Sequence, residues 1–134
     1  MSFKFLEHTA DILFQAEGRT FEEALEEASK ALSATISDKV QKKEEFEFEE
    51  SAENIEEVVI AVLSRLLVES EVLGLIPGGF KIISFKEQPG NTNIKVKGWA
   101  GEGKQKTIVK GVTYGLLKVE RSKNKCMIQV LLDI

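Results

Sequence analysis

Two carboxylates sit where an acidic side chain is expensive. The chain closes on Met127-Ile128-Gln129-Val130-Leu131-Leu132-Asp133-Ile134, so Asp133 stands between Leu132 and Ile134 in a stretch otherwise suited to a buried strand. Near the other end, Asp11 directly precedes the apolar run Ile12-Leu13-Phe14. A carboxylate in such a setting is costly unless it is paired, hydrogen-bonded or bound to a cation. If folding brings the two ends together, Asp11 and Asp133 make a small oxygen-ligand site. Spacing alone leaves the plainer alternative open, with Asp133 a solvated chain end and Asp11 a turn-forming aspartate.

Other reactive residue types are scarce. His8 is the one histidine, and a lone histidine is more often a hydrogen-bonded structural residue than a ligand; beside Asp11 it could orient that carboxylate. Cys126 is the one cysteine, which excludes an internal disulfide and a thiolate zinc cluster. It lies in an apolar run and reads as an inert core thiol. No Ser-His-Asp or Cys-His arrangement can be assembled. Gly101-Glu102-Gly103-Lys104 lacks the strand-loop-helix context of a phosphate loop and reads as a turn. Trp99 and Tyr114 are too few for a base-stacking platform, whereas the lysines from Lys95 to Lys125 could give salt-sensitive contact with RNA.

The 134 residues fit one domain, 1–134, with a real core, and the composition, 43% hydrophobic and 30% charged, is that of a globular protein. Met1 to Phe14 lacks the long apolar region of a signal peptide. Val58 to Val68, broken by Ser64 and Arg65, is too short to cross a bilayer. A cytoplasmic setting without membrane contact is the expectation. Residues 1–80 carry 7 Lys and Arg against 18 Asp and Glu, a balance of −11. Residues 81–134 carry 11 against 4, or +7, and the net charge is −4. Such asymmetry allows a basic face, although halves that intermix in space would cancel it.

The elements that must position the carboxylates read as follows. Phe3 to Leu6 and Asp11 to Glu17 are strands, the second stopped by Gly18. Thr20 with Glu23 forms a capping-box pattern, opening a helix with apolar Phe21, Ala24, Leu25, Ala28, Ala31 and Leu32 at helical spacing. Phe46 and Phe48 alternate with glutamates in the strand Lys42 to Glu50. Asn54 with Glu57 opens a second helix, whose broader apolar face from Ile55 to Leu67 predicts the more buried of the two. Pro77-Gly78-Gly79 launches a strand over Phe80 to Lys86, which turns at Gln88-Pro89-Gly90-Asn91 into Asn93 to Trp99. Gly101-Glu102-Gly103 is a loop, Thr107 to Val119 is mostly extended but interrupted by Gly111 and Gly115, and Cys126 to Asp133 is the last strand. The fold class is α+β: a single-domain sandwich of two main helices on a mostly antiparallel sheet of about seven strands.

Three segments together resemble the archease family. They are Glu7-His8-Thr9-Ala10-Asp11-Ile12 with Gly18, Thr20, Glu22, Glu23 and Ala24; Lys110-Gly111-Val112-Thr113-Tyr114; and the closing Val130-Leu131-Leu132-Asp133-Ile134. Their order, spacing and the terminal position of the last span the whole chain. The resemblance implies a non-enzymatic activator of an RtcB-type tRNA-splicing RNA ligase, a GTP- and metal-dependent enzyme whose guanylylation the activator promotes. It also implies a divalent cation, calcium in the family, held by Asp11, Asp133 and a main-chain oxygen of Ile134. So few protein ligands predict weak, exchangeable binding, completed by water or a partner's groups. Lys110, at the second motif, either is an exposed strand lysine or places a cation near the aspartates, as their salt-bridge partner or as a contact to ligase or phosphate. A chaperone-like modulation of tRNA methyltransferases or other RNA-processing enzymes is the alternative that the same resemblance carries. This chain has Gly115 where the family usually has histidine, and Gly111 where it usually has alanine.

Overall fold

The computed structural model describes residues 1–7 and 10–134. In chain order the elements are β1 (Ser2–Leu6), β2 (Ile12–Gly18), α1 (Phe21–Ile36), β3 (Gln41–Ala52), α2 (Ile55–Val72), β4 (Ile76–Gln88), β5 (Asn91–Glu102), β6 (Gly111–Ser122) and β7 (Lys125–Asp133). They form an α+β sandwich of two fully antiparallel sheets. One has the order β1-β2-β7-β6, the other β3-β5-β4.

Both helices begin as their sequences predict. The Thr20 Oγ1 accepts the Glu23 N–H at 3.1 Å, while the Glu23 carboxylate accepts the Arg19 N–H at 3.0 Å. The Asn54 Oδ1 takes the Glu57 N–H at 2.9 Å, and the Glu57 carboxylate takes the Glu53 N–H at 3.2 Å. Each arrangement satisfies one N–H that the first helical turn leaves without a partner and ties the residue before the cap to the helix. Helix α2 stops in a left-handed Gly74, φ 69°, where Gly74 N–H donates to the Glu71 carbonyl and Leu75 N–H to the Ser70 carbonyl, both at 2.9 Å.

A single apolar cluster joins the two layers, with Phe14, Leu25, Leu63, Ile94 and Ile128 fully buried. Helix α1 packs on β2 of the first sheet and along β4 of the second. That double contact reverses the expected order of burial. Eleven of the 16 residues of α1 are buried, including Ser29, Ser33 and Thr35. Only nine of the 18 residues of α2 are, and its Val68 and Val72 face water. A broad apolar face says that a helix can be buried; how many neighbours surround it decides how far it is.

The same helix closes a sheet edge. Strand β4 hydrogen-bonds β5 on one side, and on the other its Phe80 N–H donates to the Ser29 Oγ at 3.1 Å and its Ile82 N–H to the Glu26 carboxylate at 2.8 Å. An edge left with buried, unpaired N–H groups would be costly, and two side chains of α1 remove that cost.

Several strand limits differ from those read in the sequence. Strand β4 already begins at Ile76, so Pro77-Gly78-Gly79 lies inside it. Proline is tolerated because β4 is an edge strand, and the register slips between Pro77 and Gly79. The Trp99 indole lies across Gly78 so closely that any Cβ there would stand 2.1 Å from its ring. Gly101 and Glu102 end β5 instead of forming a loop. Residues 103–110 then carry the chain from one sheet to the other without regular structure, anchored by the Lys106 N–H on the Ile36 carbonyl at 2.8 Å.

The two charge halves intermix. Five of the ten ion pairs among the described residues join residues 1–80 to residues 81–134, among them Lys97–Glu45 at 3.7 Å and Lys106–Asp38 at 2.5 Å. Arg121 of β6 grips Glu87 of β4 through two bonds, 2.8 and 2.9 Å, and so ties one sheet to the other. This fork-to-fork bond to Arg121 lowers the Glu87 carboxyl below its ordinary value.

Two stability predictions follow from these contacts. Ser29→Ala strands the buried Phe80 N–H and should destabilise the fold by about 1–3 kcal/mol in urea unfolding. For Glu87, a folded pKa depressed below the unfolded one gives stability that is present above the unfolded carboxyl value and lost as pH falls through the folded one. Both partners are well exposed, so Glu87→Gln should cost about 1 kcal/mol or less at pH 7. The deficit should shrink as pH falls below the ordinary carboxyl range and vanish once the folded-state carboxyl is protonated too, as a thermal-melt series would show.

Candidate functional site

The site sits where β2 and β7 run side by side. Their register pairs Ile12 with Leu132 and Phe14 with Val130 on the core face, and Leu13 with Leu131 and Gln15 with Gln129 on the outer face. Asp11 and Asp133 stand immediately beyond the Ile12–Leu132 pair, so the two ends of the chain meet with their acidic residues in adjacent positions. On the far side, β6 sets Gly111 opposite Asp133, and the Lys110 N–H donates to the Asp133 carbonyl at 2.7 Å. That bond fixes the last turn of backbone before Ile134.

Strand alternation revises the expected cost of the terminal carboxylate. Leu132 points into the core and is fully buried, so Asp133 faces out and is exposed, while Asp11 and Ile134 are half-buried. Asp133 therefore suffers little desolvation and is open to a ligand. The side chain of Lys110 is exposed. It lines an open groove of about 840 Å³ with Ala10, Gln105, Lys106, Thr107, Ile108 and Ile134. The role expected of His8 lies outside the described residues.

As a metal site the donor set is hard and sparse. No group of three or more His, Cys, Asp or Glu side chains that could hold a metal exists among the described residues. Two carboxylates and a main-chain oxygen suit calcium or magnesium and not a thiolate- or imidazole-seeking metal. They fit a cation whose shell is shared with another molecule. Cys126 offers no alternative, being buried, with burial pushing its thiol above the ordinary value.

A second feature was not legible as a unit. The stretch expected to be mostly extended from Thr107 to Val119, interrupted at Gly111 and Gly115, becomes strand from Gly111 onward and is bulged around Gly115. Thr113 pairs with Leu131 and Lys118 with Gln129, so β6 spends five residues where β7 spends two. Leu116 at the crest has φ 61°, a left-handed conformation that costs a leucine about 1–2 kcal/mol. The Gln129 amide donates to the Leu116 carbonyl at 2.7 Å, and Gln129 in turn accepts from the Gln15 amide at 2.9 Å. Two glutamines within apolar strands were the available signal. Gly115 lies in this bulge, its Cβ site 3.4 Å from the Leu131 side chain.

A second, smaller pocket of about 350 Å³ lies at the other end of the outer face, lined by residues including Glu17, Arg121 and Lys125. Its charges are already answered by Lys125–Glu17 at 3.6 Å and the Arg121–Glu87 pair.

Comparison with known proteins agrees with the fold. Residues 3–134 match the model of the Archease protein family (MTH1598/TM1083). Protein archease of Methanosarcina mazei is 33% identical over 139 residues, covering 98% of this chain and 95% of the relative. That of Pyrococcus furiosus is 32% identical over 136 residues, covering 96% and 95%. The solution structure of Methanobacterium thermoautotrophicum protein 1598 superposes with a TM-score of 0.82 at 24% identity, over 99% of both chains. A Thermotoga maritima crystal structure, described as an archease and possible chaperone, gives 0.60 at 26% identity over 98% of this chain and 96% of the other. With the family match running from Phe3 to the terminal Ile134, this chain belongs to the archease family.

Proposed function

We propose that this protein is a non-enzymatic activator of an RtcB-type tRNA-splicing RNA ligase in the cytoplasm, promoting the ligase's guanylylation with the help of a divalent cation, calcium in the first instance. The observation that carries the reading is the pairing of β2 with β7, which sets Asp11 beside Asp133 at the chain terminus. Membership of the archease family supports it.

Asp11 and Asp133 would hold the cation with carboxylate oxygens, and Ile134 would add a main-chain oxygen. When bound, the cation supplies positive charge against a nucleotide phosphate, which stabilises charge that develops during transfer. The residues of this chain do the positioning. The Lys110 main-chain amide holds the end of β7 through the Asp133 carbonyl, so the Asp133 side chain starts from a fixed backbone. Exposure of Asp133 leaves the remaining coordination positions open to water or to the ligase. Lys110, on the groove beside Ile134, is placed to meet an anionic group of the ligase or of its nucleotide.

The alternative function, chaperone-like modulation of a tRNA methyltransferase or another RNA-processing enzyme, is favoured by the description of the Thermotoga maritima relative as a possible chaperone. The readings differ in what they require of Asp133. Under the activator reading, Asp133→Ala and Asp11→Ala should melt within about 2 °C of wild type, since neither side chain is in the core. Each should reduce stimulated ligase guanylylation at least tenfold. A folded Asp133→Ala protein with full stimulation would rule this mechanism out. Chelation with EDTA should likewise remove stimulation, and calcium added back should restore it; stimulation that ignores chelation would point to the chaperone reading.

A further inference from the structure

The end of β7 is held from one side. The β2–β7 ladder stops at the Ile12–Leu132 pair, so among the described residues Asp133 is paired by β6 alone, through Gly111 and the Lys110 N–H at 2.7 Å. Lys110 in turn closes the crossing of residues 103–110, which has no regular structure of its own. Two main-chain bonds anchor that crossing, the Lys106 N–H on the Ile36 carbonyl and the Lys110 N–H on the Asp133 carbonyl. One side chain anchors it in the core: Val109, 3% exposed, lines a hollow of about 70 Å³ together with Ile36, Leu67 and Ile76. Between the anchors the segment has little to rest on. Lys106 and Thr107 border the groove of about 840 Å³ and also a hollow of about 300 Å³ lined by Phe5, Ile12, Ala34 and Thr35, while Ile108 is 67% exposed. A segment with few buried contacts opens locally at a small fraction of the cost of global unfolding.

We propose that residues 103–110 are a strap that regulates the cation site, with Val109 as its positioning residue: the closed strap favours a cation at the end of β7, and the cation favours the closed strap. The inference rests on the cation proposed above for Asp11 and Asp133. Opening releases the Lys110 N–H from the Asp133 carbonyl. With it goes the fixed backbone from which the Asp133 carboxylate and the Ile134 main-chain oxygen reach a common ion. A cation that needs both oxygens in place binds the closed form better, and linkage makes the dependence mutual. Val109 controls the balance because it is the one buried residue of the crossing and directly precedes Lys110. Gly111, on the other side of Lys110, adds freedom at the same joint, and a Cβ there would meet nothing within 4 Å. The Lys106–Asp38 ion pair adds little, since the Asp38 side chain is 85% exposed.

Calorimetry with calcium chloride and amide hydrogen exchange of the full chain test the strap in wild type, Val109→Ala, Val109→Ile and Gly111→Ala. Saturating calcium should slow exchange of the Lys106 and Lys110 amides about fivefold or more. The Leu75 amide, bonded to Ser70 at the end of α2, should be unaffected. Slowing at Lys106 is the discriminating readout, because its partner is the Ile36 carbonyl and no proposed ligand adjoins it. Val109→Ala, measured where it is fully folded, should speed both amides and weaken calcium binding about threefold or more. Val109→Ile, whose added methyl has the adjacent hollow to enter, should keep wild-type affinity. Gly111→Ala should slow Lys110 exchange about two- to fivefold without calcium, by narrowing the open ensemble. Calcium binding with Lys106 exchange unaltered, or wild-type affinity in Val109→Ala, overturns the strap and leaves the cation reading intact. A wild-type chain that binds no calcium overturns both.

Discussion

The antiparallel pairing of β2 with β7 is the constraint on which the rest of the molecule depends. It joins residues separated by 114 positions, as the Gln15–Gln129 hydrogen bond records. Closing so long a loop has an entropic cost that must be met by contacts formed on closure, and here they are substantial. Phe14, Ile128, Val130 and Leu132 all become fully buried against α1 and its neighbours. With that seam in place, β1 and β6 are added as flanking strands, and Asp11 and Asp133 arrive at one end of it. The candidate site is thus a by-product of core formation, which explains how two exposed or half-exposed carboxylates can hold a fixed relation without being buried.

Helix α1 carries the second structural burden. It follows β2 directly, covers the inner face of the first sheet, and then completes the open edge of β4 with Ser29 and Glu26. A polar residue on the buried face of a helix would ordinarily read as a defect. Ser29 is fully buried, and its hydroxyl both donates to the Glu26 carbonyl at 2.7 Å and accepts from Phe80. Arg121 and Glu87 make a second tie between the sheets at the surface, where water weakens it. The two ties differ in kind, the buried one being costly to break and the exposed one adding little.

Charge asymmetry in sequence did not become charge asymmetry in space. The acidic β3 runs alongside β5, so Glu45 and Glu47 lie opposite Trp99 and Lys97, with Lys95 and Lys97 within reach. A basic face broad enough to bind RNA on its own is therefore not a consequence of the +7 balance of residues 81–134. What remains distinctive on the surface is local: two carboxylates, a groove with two lysines, and a strained apolar crest, all around the end of the β6–β7 pair.

Sequence by itself determined whatever depends on near neighbours. The Thr20/Glu23 and Asn54/Glu57 caps, the Pro89-Gly90 turn and the alternation of Phe46 and Phe48 are each decided by hydrogen bonds or sterics within a few residues, so their readout needs no partner. Asp11 and Asp133 were also legible as candidate ligands, from acidic residues placed against apolar runs. Only the tertiary structure decided which faces those residues take and what lies beside them. It made α1 more buried than α2, split the strands into two sheets at residues 103–110, turned Asp133 outward, and raised Leu116 on a bulge held by Gln129. Those outcomes depend on register between segments far apart in the chain, and a shift of a single residue would reverse every face.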